Sequence, residues 1–177
     1  RGRVDVAEQD LTLLAAYDSE TDQYYSYTRD ELPLFWPLLE HSDVLIGYNS
    51  DNFDIPLLNR YYPGDLSKVR SLDLMAEVYG ALGRRLRIQS LAEATLGRGK
   101  KGDGAKASEW WLEGKIDKVR EYCIEDVRLT KELFDYARDH GLLKYKDLRE
   151  VRDIKLDTRN WLSKGTEVPA ITHALQL

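Results

Sequence analysis

The run Val44-Leu45-Ile46-Gly47-Tyr48 is apolar without a break and lacks the alternation of a half-solvated strand. Such a run marks a strand covered on both faces, which requires helices on either side of a sheet and therefore an α/β architecture. The polar stretch Asn49-Ser50-Asp51-Asn52 ends the strand, and a helix over about Phe53 to Tyr62 leaves it before Pro63-Gly64. Open α/β sheets place ligands at the carboxyl ends of their strands, so the segment Asn49-Ser50-Asp51-Asn52-Phe53-Asp54 stands at a candidate site. An Asp in the first turn of a helix also has a purely structural explanation, through capping and the helix dipole.

The remaining pattern extends this sheet. Leu11 to Ser19 and Tyr24 to Thr28 read as antiparallel strands joined by the polar link Glu20-Thr21-Asp22-Gln23. A short helix is expected over Leu34 to Glu40, with Pro33 and Pro37 near its start. Arg70 to Leu72 reads as a strand, Leu74 to Leu82 as a helix stopped at Gly83, and Leu91 to Leu96 as a helix capped by Ser90 and ended by Gly97. Gly97 to Lys106 is rich in glycine and lysine and is expected to be a mobile loop. After the long helical pattern from Ile116 to about His140, the chain turns irregular beyond Tyr145, with only Ile154 to Leu156 strand-like. The organisation expected is one domain over 1–145, followed by a C-terminal extension over 146–177 that packs on it or trails from it.

The long helix carries the sharper chemical signal. At 100° per residue, Ile116, Val119, Cys123, Val127, Thr130, Leu133, Phe134 and Ala137 share one apolar arc. Asp126 falls inside it as the one charged residue, and a carboxylate in an apolar setting calls for a positive partner, a basic side chain or a metal ion. Tyr122 lies one turn earlier on the same side.

Composition excludes several classes. No apolar stretch approaches the ~20 residues of a membrane span. The single Cys123 cannot form an internal disulfide or a thiolate metal site, which suits a reducing, cytoplasmic setting. Arg1-Gly2-Arg3-Val4-Asp5 is not a secretory signal and reads as the middle of a longer sequence. A net charge of −5 argues against duplex binding by electrostatics alone, although basic residues dominate locally between Arg84 and Lys106.

Taken together, Leu45-Ile46-Gly47-Tyr48-Asn49-Ser50-Asp51-Asn52-Phe53-Asp54 and Tyr122-Cys123-Ile124-Glu125-Asp126 resemble the second and third motifs of the DEDD exonucleases. The match is to the tyrosine subtype, related to the proofreading domain of family B DNA polymerases. The histidine subtype would need His where Glu121 stands. Ser71-Leu72-Asp73-Leu74 and Leu91-Ala92-Glu93-Ala94-Thr95-Leu96-Gly97 are similar to segments of stand-alone bacterial members, so the resemblance covers most of residues 10 to 145. It implies a ribonuclease H-like α/β fold, a mixed sheet of an antiparallel hairpin and parallel strands flanked by helices. It further implies 3′→5′ hydrolysis of single-stranded DNA or RNA ends with two Mg²⁺ or Mn²⁺ ions. Carried over, Asp54 and Asp126 are metal ligands. Tyr122 orients the attacking water, since a phenol of ordinary pKa ~10 keeps its proton near neutrality. Asn49 and Phe53 shape the substrate side, and Lys100 and Lys101 contact backbone phosphates.

The family's first motif, Asp-x-Glu on the central first strand, is absent before Leu11, where Asp5 and Glu8 have the wrong spacing for one strand face. By resemblance, that strand lies between the hairpin and the parallel strands, and its loss would leave backbone groups unpaired mid-sheet. Residues upstream of Arg1 are the expected source, and a non-catalytic relative that binds nucleic acid or a protein partner is the alternative. Gly97-Arg98-Gly99-Lys100-Lys101-Gly102 matches a dinucleotide-binding string but follows a helix, not a strand. Trp110 and Trp111 are expected to pack one ring into the core, with base stacking as the second reading. His41, His140 and His173 show no metal-binding spacing and are expected at the surface.

Overall fold

Every residue of strand β3 (Val44–Gly47) is buried, as its unbroken apolar run demands. Leu45 packs towards one face of the sheet, among residues of α1 (Leu32–His41) and α2 (Asp54–Asn59). Val44 and Ile46 pack towards the other, against α3 (Leu74–Leu82), α4 (Ile88–Leu96) and α6 (Ile116–His140). Burying these three side chains stabilises the fold by about 1.5–3 kcal/mol each. The computed structural model describes residues 10–99, 104–162 and 170–176. Among them, no helix is long and apolar enough to cross a membrane.

The hairpin forms from β1 (Leu13–Asp18) and β2 (Gln23–Thr28), paired from Leu13↔Thr28 to Asp18↔Gln23. β1 is buried throughout, and its side chains alternate between the faces. Leu14 and Ala16 join the α1–α2 cluster, while Leu13, Ala15 and Tyr17 pack against α5 (Gly104–Leu112) and α6. β3 pairs in parallel with β4 (Ser71–Asp73). The fold is thus a mixed parallel and antiparallel sheet between two helical layers, the ribonuclease H-like arrangement.

The centre of the sheet differs from expectation in its source. The strand order is β2-β1-β7-β3-β4, where β7 is Ala170–Gln176, residues the sequence reading assigned to a C-terminal extension. β7 runs antiparallel to β1 and parallel to β3, so the slot between hairpin and parallel strands is filled from the far end of the chain. The backbone groups of both neighbours are thereby paired, which a gap would forbid. A second sheet, β5 (Leu142–Asp147) with β6 (Glu150–Lys155), occupies a stretch read largely as irregular. Its signal was the alternation of buried Leu143 and Tyr145 with charged Lys144 and Lys146.

Smaller differences follow from capping and propensity. α4 starts at Ile88 after Arg87, so Ser90 lies inside the helix, its N–H already donating to the Arg87 carbonyl. Pro37 sits inside α1, where it withholds one helical N–H. α5 begins at Gly104 within the stretch expected to be a loop. Lys100 and Lys101 lie outside the described residues.

Candidate active site

Beyond Gly47 the chain leaves β3 through Tyr48 and Asn49, and Asn49 adopts a left-handed conformation at φ 61° that non-glycine residues rarely take. The strain is held by Asp73, a buried carboxylate at the end of the neighbouring strand β4. Asp73 Oδ1 accepts the Asn49 N–H at 2.8 Å and the Met75 N–H at 2.9 Å, and Oδ2 accepts the Asp51 N–H at 3.2 Å. With a further contact from Ala76 N–H at 3.4 Å, Asp73 both caps α3 and pins the β3–α2 loop. Burial pushes its carboxyl up from the usual range, against the pull of these backbone donors. Ser71 Oγ donates to Asp51 Oδ1 at 2.5 Å and ties the loop a second time.

The loop delivers Asp54 at the start of α2, buried at 8% exposure. Its Oδ2 lies 3.1 Å from His173 Nε2, off the direction of a hydrogen bond. His173 is 1% exposed, and among the described residues neither of its ring nitrogens has a hydrogen-bond partner, nor does the equally buried Ser50 Oγ. Ser50 and His173 close on Gly47, where an added Cβ would stand 2.7 Å from Ser50 Cβ and 2.8 Å from His173 Cε1. The absence of a side chain at Gly47 is what admits the imidazole beside Asp54. Orphaned buried polar atoms are rare in folded proteins and mark places that take a water or an ion.

Tyr122 and Asp126 stand one turn apart on α6. Tyr122 is buried among Leu13, Ala15, Val119 and Cys123, with its ring edge-on to Trp110 at 6.2 Å. Asp126 is half-buried, and its carbonyl accepts the Thr130 hydroxyl at 3.1 Å. Tyr122 therefore belongs to the α5–α6 face of the sheet, whereas Asp54 meets His173 on the α1–α2 face. Among the described residues, no three His, Cys, Asp or Glu side chains are grouped to hold a metal ion.

Asn49 engages Asp73 through its backbone, and its side-chain oxygen accepts from Asn52 Nδ2 at 3.4 Å. Phe53 is half-buried against the α1–α2 cluster. Trp110 and Trp111 both pack partly against the α5–α6 cluster, so neither is wholly in the core. His41 and His140 are exposed as expected, while the buried position of His173 corrects its expected place at the surface. A lone His gives no periodicity to read, and its burial follows from the strand insertion alone. The signal that could have found Asp73 is its place directly before Leu74, where an Asp caps a helix; nothing local signals its hold on the loop across the sheet.

The family model RNase_H_2, of the RNase_H superfamily, matches residues 4–138. DNA polymerase 1 of Aeropyrum pernix is 26% identical over 156 residues, an alignment that takes in 72% of this chain and 15% of the polymerase. The chain thus spans a small fraction of that relative's length. No solved structure matches it.

Proposed function

Because the chain belongs to the RNase_H superfamily, we propose that it is a metal-dependent 3′→5′ exonuclease that hydrolyses phosphodiester bonds at single-stranded ends. The observation that carries this reading is Asp54. It is a buried carboxylate at the carboxyl end of the central parallel strand, set beside orphaned polar atoms that a cation and its waters would satisfy. The donor set is of the right kind, since hard divalent ions are held by one or two carboxylates with water and substrate phosphate completing the shell. By the motif resemblance, Asp54 from α2 and Asp126 from α6, on opposite faces of the sheet, would each be a ligand of Mg²⁺ or Mn²⁺, and such an ion supplies Lewis-acid stabilisation of phosphoryl charge and acidification of bound water.

The chain's own residues account for the remainder. Asp73 fixes the loop that aims Asp54, so the carboxylate needs little reorganisation when substrate arrives. Tyr122 orients the attacking water through its hydroxyl. Asn49 and Phe53 flank the terminal nucleotide, with Lys100 and Lys101 on the backbone phosphates. The similarity to a DNA polymerase supports DNA as the first strand to test.

The test is hydrolysis of a 5′-labelled single-stranded DNA and its RNA counterpart in Mn²⁺ and in EDTA. A ladder shortening from the 3′ end only with metal, and lost in Asp54→Asn and in Asp126→Asn, is expected. Activity retained by either variant overturns the assignment, and salt-sensitive strand binding without any ladder supports a non-catalytic binding module instead.

A further inference from the structure

β7 occupies the sheet position in which the exonucleases resembled by this sequence carry their Asp-x-Glu motif: beside the hairpin, parallel to β3 and antiparallel to β1. What β7 presents to Asp54 from there is an imidazole. His173 pairs in register with Ala16, on the face covered by α1 and α2, and its Nε2 reaches to 3.1 Å from Asp54 Oδ2. Two donors at right angles around an ion, with bonds of about 2.1 Å, stand about 3 Å apart. The observed separation has that value, and its direction does not suit a hydrogen bond between the two groups. Ser50 Oγ, also buried and without a hydrogen-bond partner among the described residues, comes to the same side of Gly47.

We infer that His173 and Asp54 together bind a divalent cation, and that the imidazole makes this site select Mn²⁺, Co²⁺ or Zn²⁺ over Mg²⁺. Mg²⁺ is a hard ion that takes oxygen ligands, whereas imidazole nitrogen suits the transition-series ions and zinc. The two side chains supply one nitrogen and one oxygen, and Ser50 Oγ and water complete the shell. The inference rests on the nuclease reading for its view of Asp54 as a metal ligand, but it is a statement about binding and is tested without substrate.

The chain has three histidines, so the test uses the full chain carrying His41→Gln and His140→Gln, which leaves His173 as its one imidazole. Free Mn²⁺ is titrated by its electron paramagnetic resonance signal, Mg²⁺ is added as competitor, and nitrogen coupling to bound Mn²⁺ is read by electron spin-echo envelope modulation. Mn²⁺ binding with a nitrogen coupling, at least about tenfold tighter than Mg²⁺, is expected. His173→Ala and Asp54→Asn should each lower Mn²⁺ affinity about tenfold or more, and His173→Asp should bring Mg²⁺ level with Mn²⁺. No nitrogen coupling to bound Mn²⁺, equal affinities for the two ions, or no binding at all overturns the inference. The spin-echo measurement needs no substitution at His173, so a misfolded variant cannot decide the matter. A chain that binds Mn²⁺ through His173 yet cuts no strand overturns the nuclease reading alone. A chain that cuts with metal affinity indifferent to His173 overturns this inference alone.

Discussion

Replacing Asp73 by Ala removes one carboxylate and strips acceptors from four backbone N–H groups at once. Two of these, Met75 and Ala76, open α3, and loss of a cap of this kind costs about 1 kcal/mol. The other two, on Asn49 and Asp51, hold the loop to Asp54, and each hydrogen bond to a charged acceptor contributes about 1.5 kcal/mol or more. Water can reach the exposed Asp51, and the burial that raises the Asp73 carboxyl is itself a cost the variant escapes, so both effects lower the sum. A net loss of about 2–3 kcal/mol remains, or roughly 4–12 °C in Tm for a chain of this size. Asp73→Asn keeps one oxygen for Asn49 and Met75 but offers no acceptor to Asp51, so its loss should be less than half as large. Urea unfolding followed by circular dichroism measures both variants, and Mn²⁺ titration reads whether the loosened loop still presents Asp54. A loss below about 0.5 kcal/mol for Asp73→Ala, or equal losses for the two variants, would refute the view that Asp73 is the clamp between β4 and the loop.

Gly47→Ala drives a methyl into Ser50 and His173 at contacts no relaxed Cβ makes, and should cost about 1–3 kcal/mol in urea unfolding while weakening Mn²⁺ binding; an unperturbed variant would show that His173 does not sit there. Glu31 accepts from Thr28 N–H and from Thr28 Oγ1, both at 2.9 Å, and from Arg120 at 2.9 Å, and the Thr28 backbone and Arg120 bonds hold its carboxyl down to about 2. A depressed carboxyl contributes stability that is full above its unfolded value near 4.5 and lost as the pH falls through about 2. Glu31→Gln should therefore lower Tm modestly at pH 7 and flatten its fall between pH 4.5 and 2; an acid limb identical to that of the parent chain would contradict the assignment.

Which parts of this protein are legible without coordinates follows from how local their causes are. The hairpin, β3, α3 and α6 are written in periodicity, in unbroken apolar runs and in glycine stops, all properties of neighbouring residues. Gly83 and Gly141 show this directly, ending α3 and α6 in the left-handed conformation that only glycine takes without strain. The positions of Asp54 at the start of α2 and of Tyr122 and Asp126 one turn apart on α6 were likewise readable, because each stands at a fixed offset within its own element. β5 is harder to read, because only two buried positions, Leu143 and Tyr145, carry its alternation with the lysines.

Local pattern is enough to show that both faces of a sheet are covered, that β3 ends at a polar loop carrying Asp54, and that one helix bears Tyr122 and Asp126. What stands in the middle of the sheet was settled by the folded chain, because strand pairing joins residues without regard to their separation in sequence. Folding placed Ala170–Gln176 between β1 and β3, set His173 against Asp54 over the bare backbone of Gly47, and turned the cap Asp73 into a clamp on the loop beside it. Each of these contacts is made by residues that no local pattern connects, and their chemistry exists only once the sheet has closed.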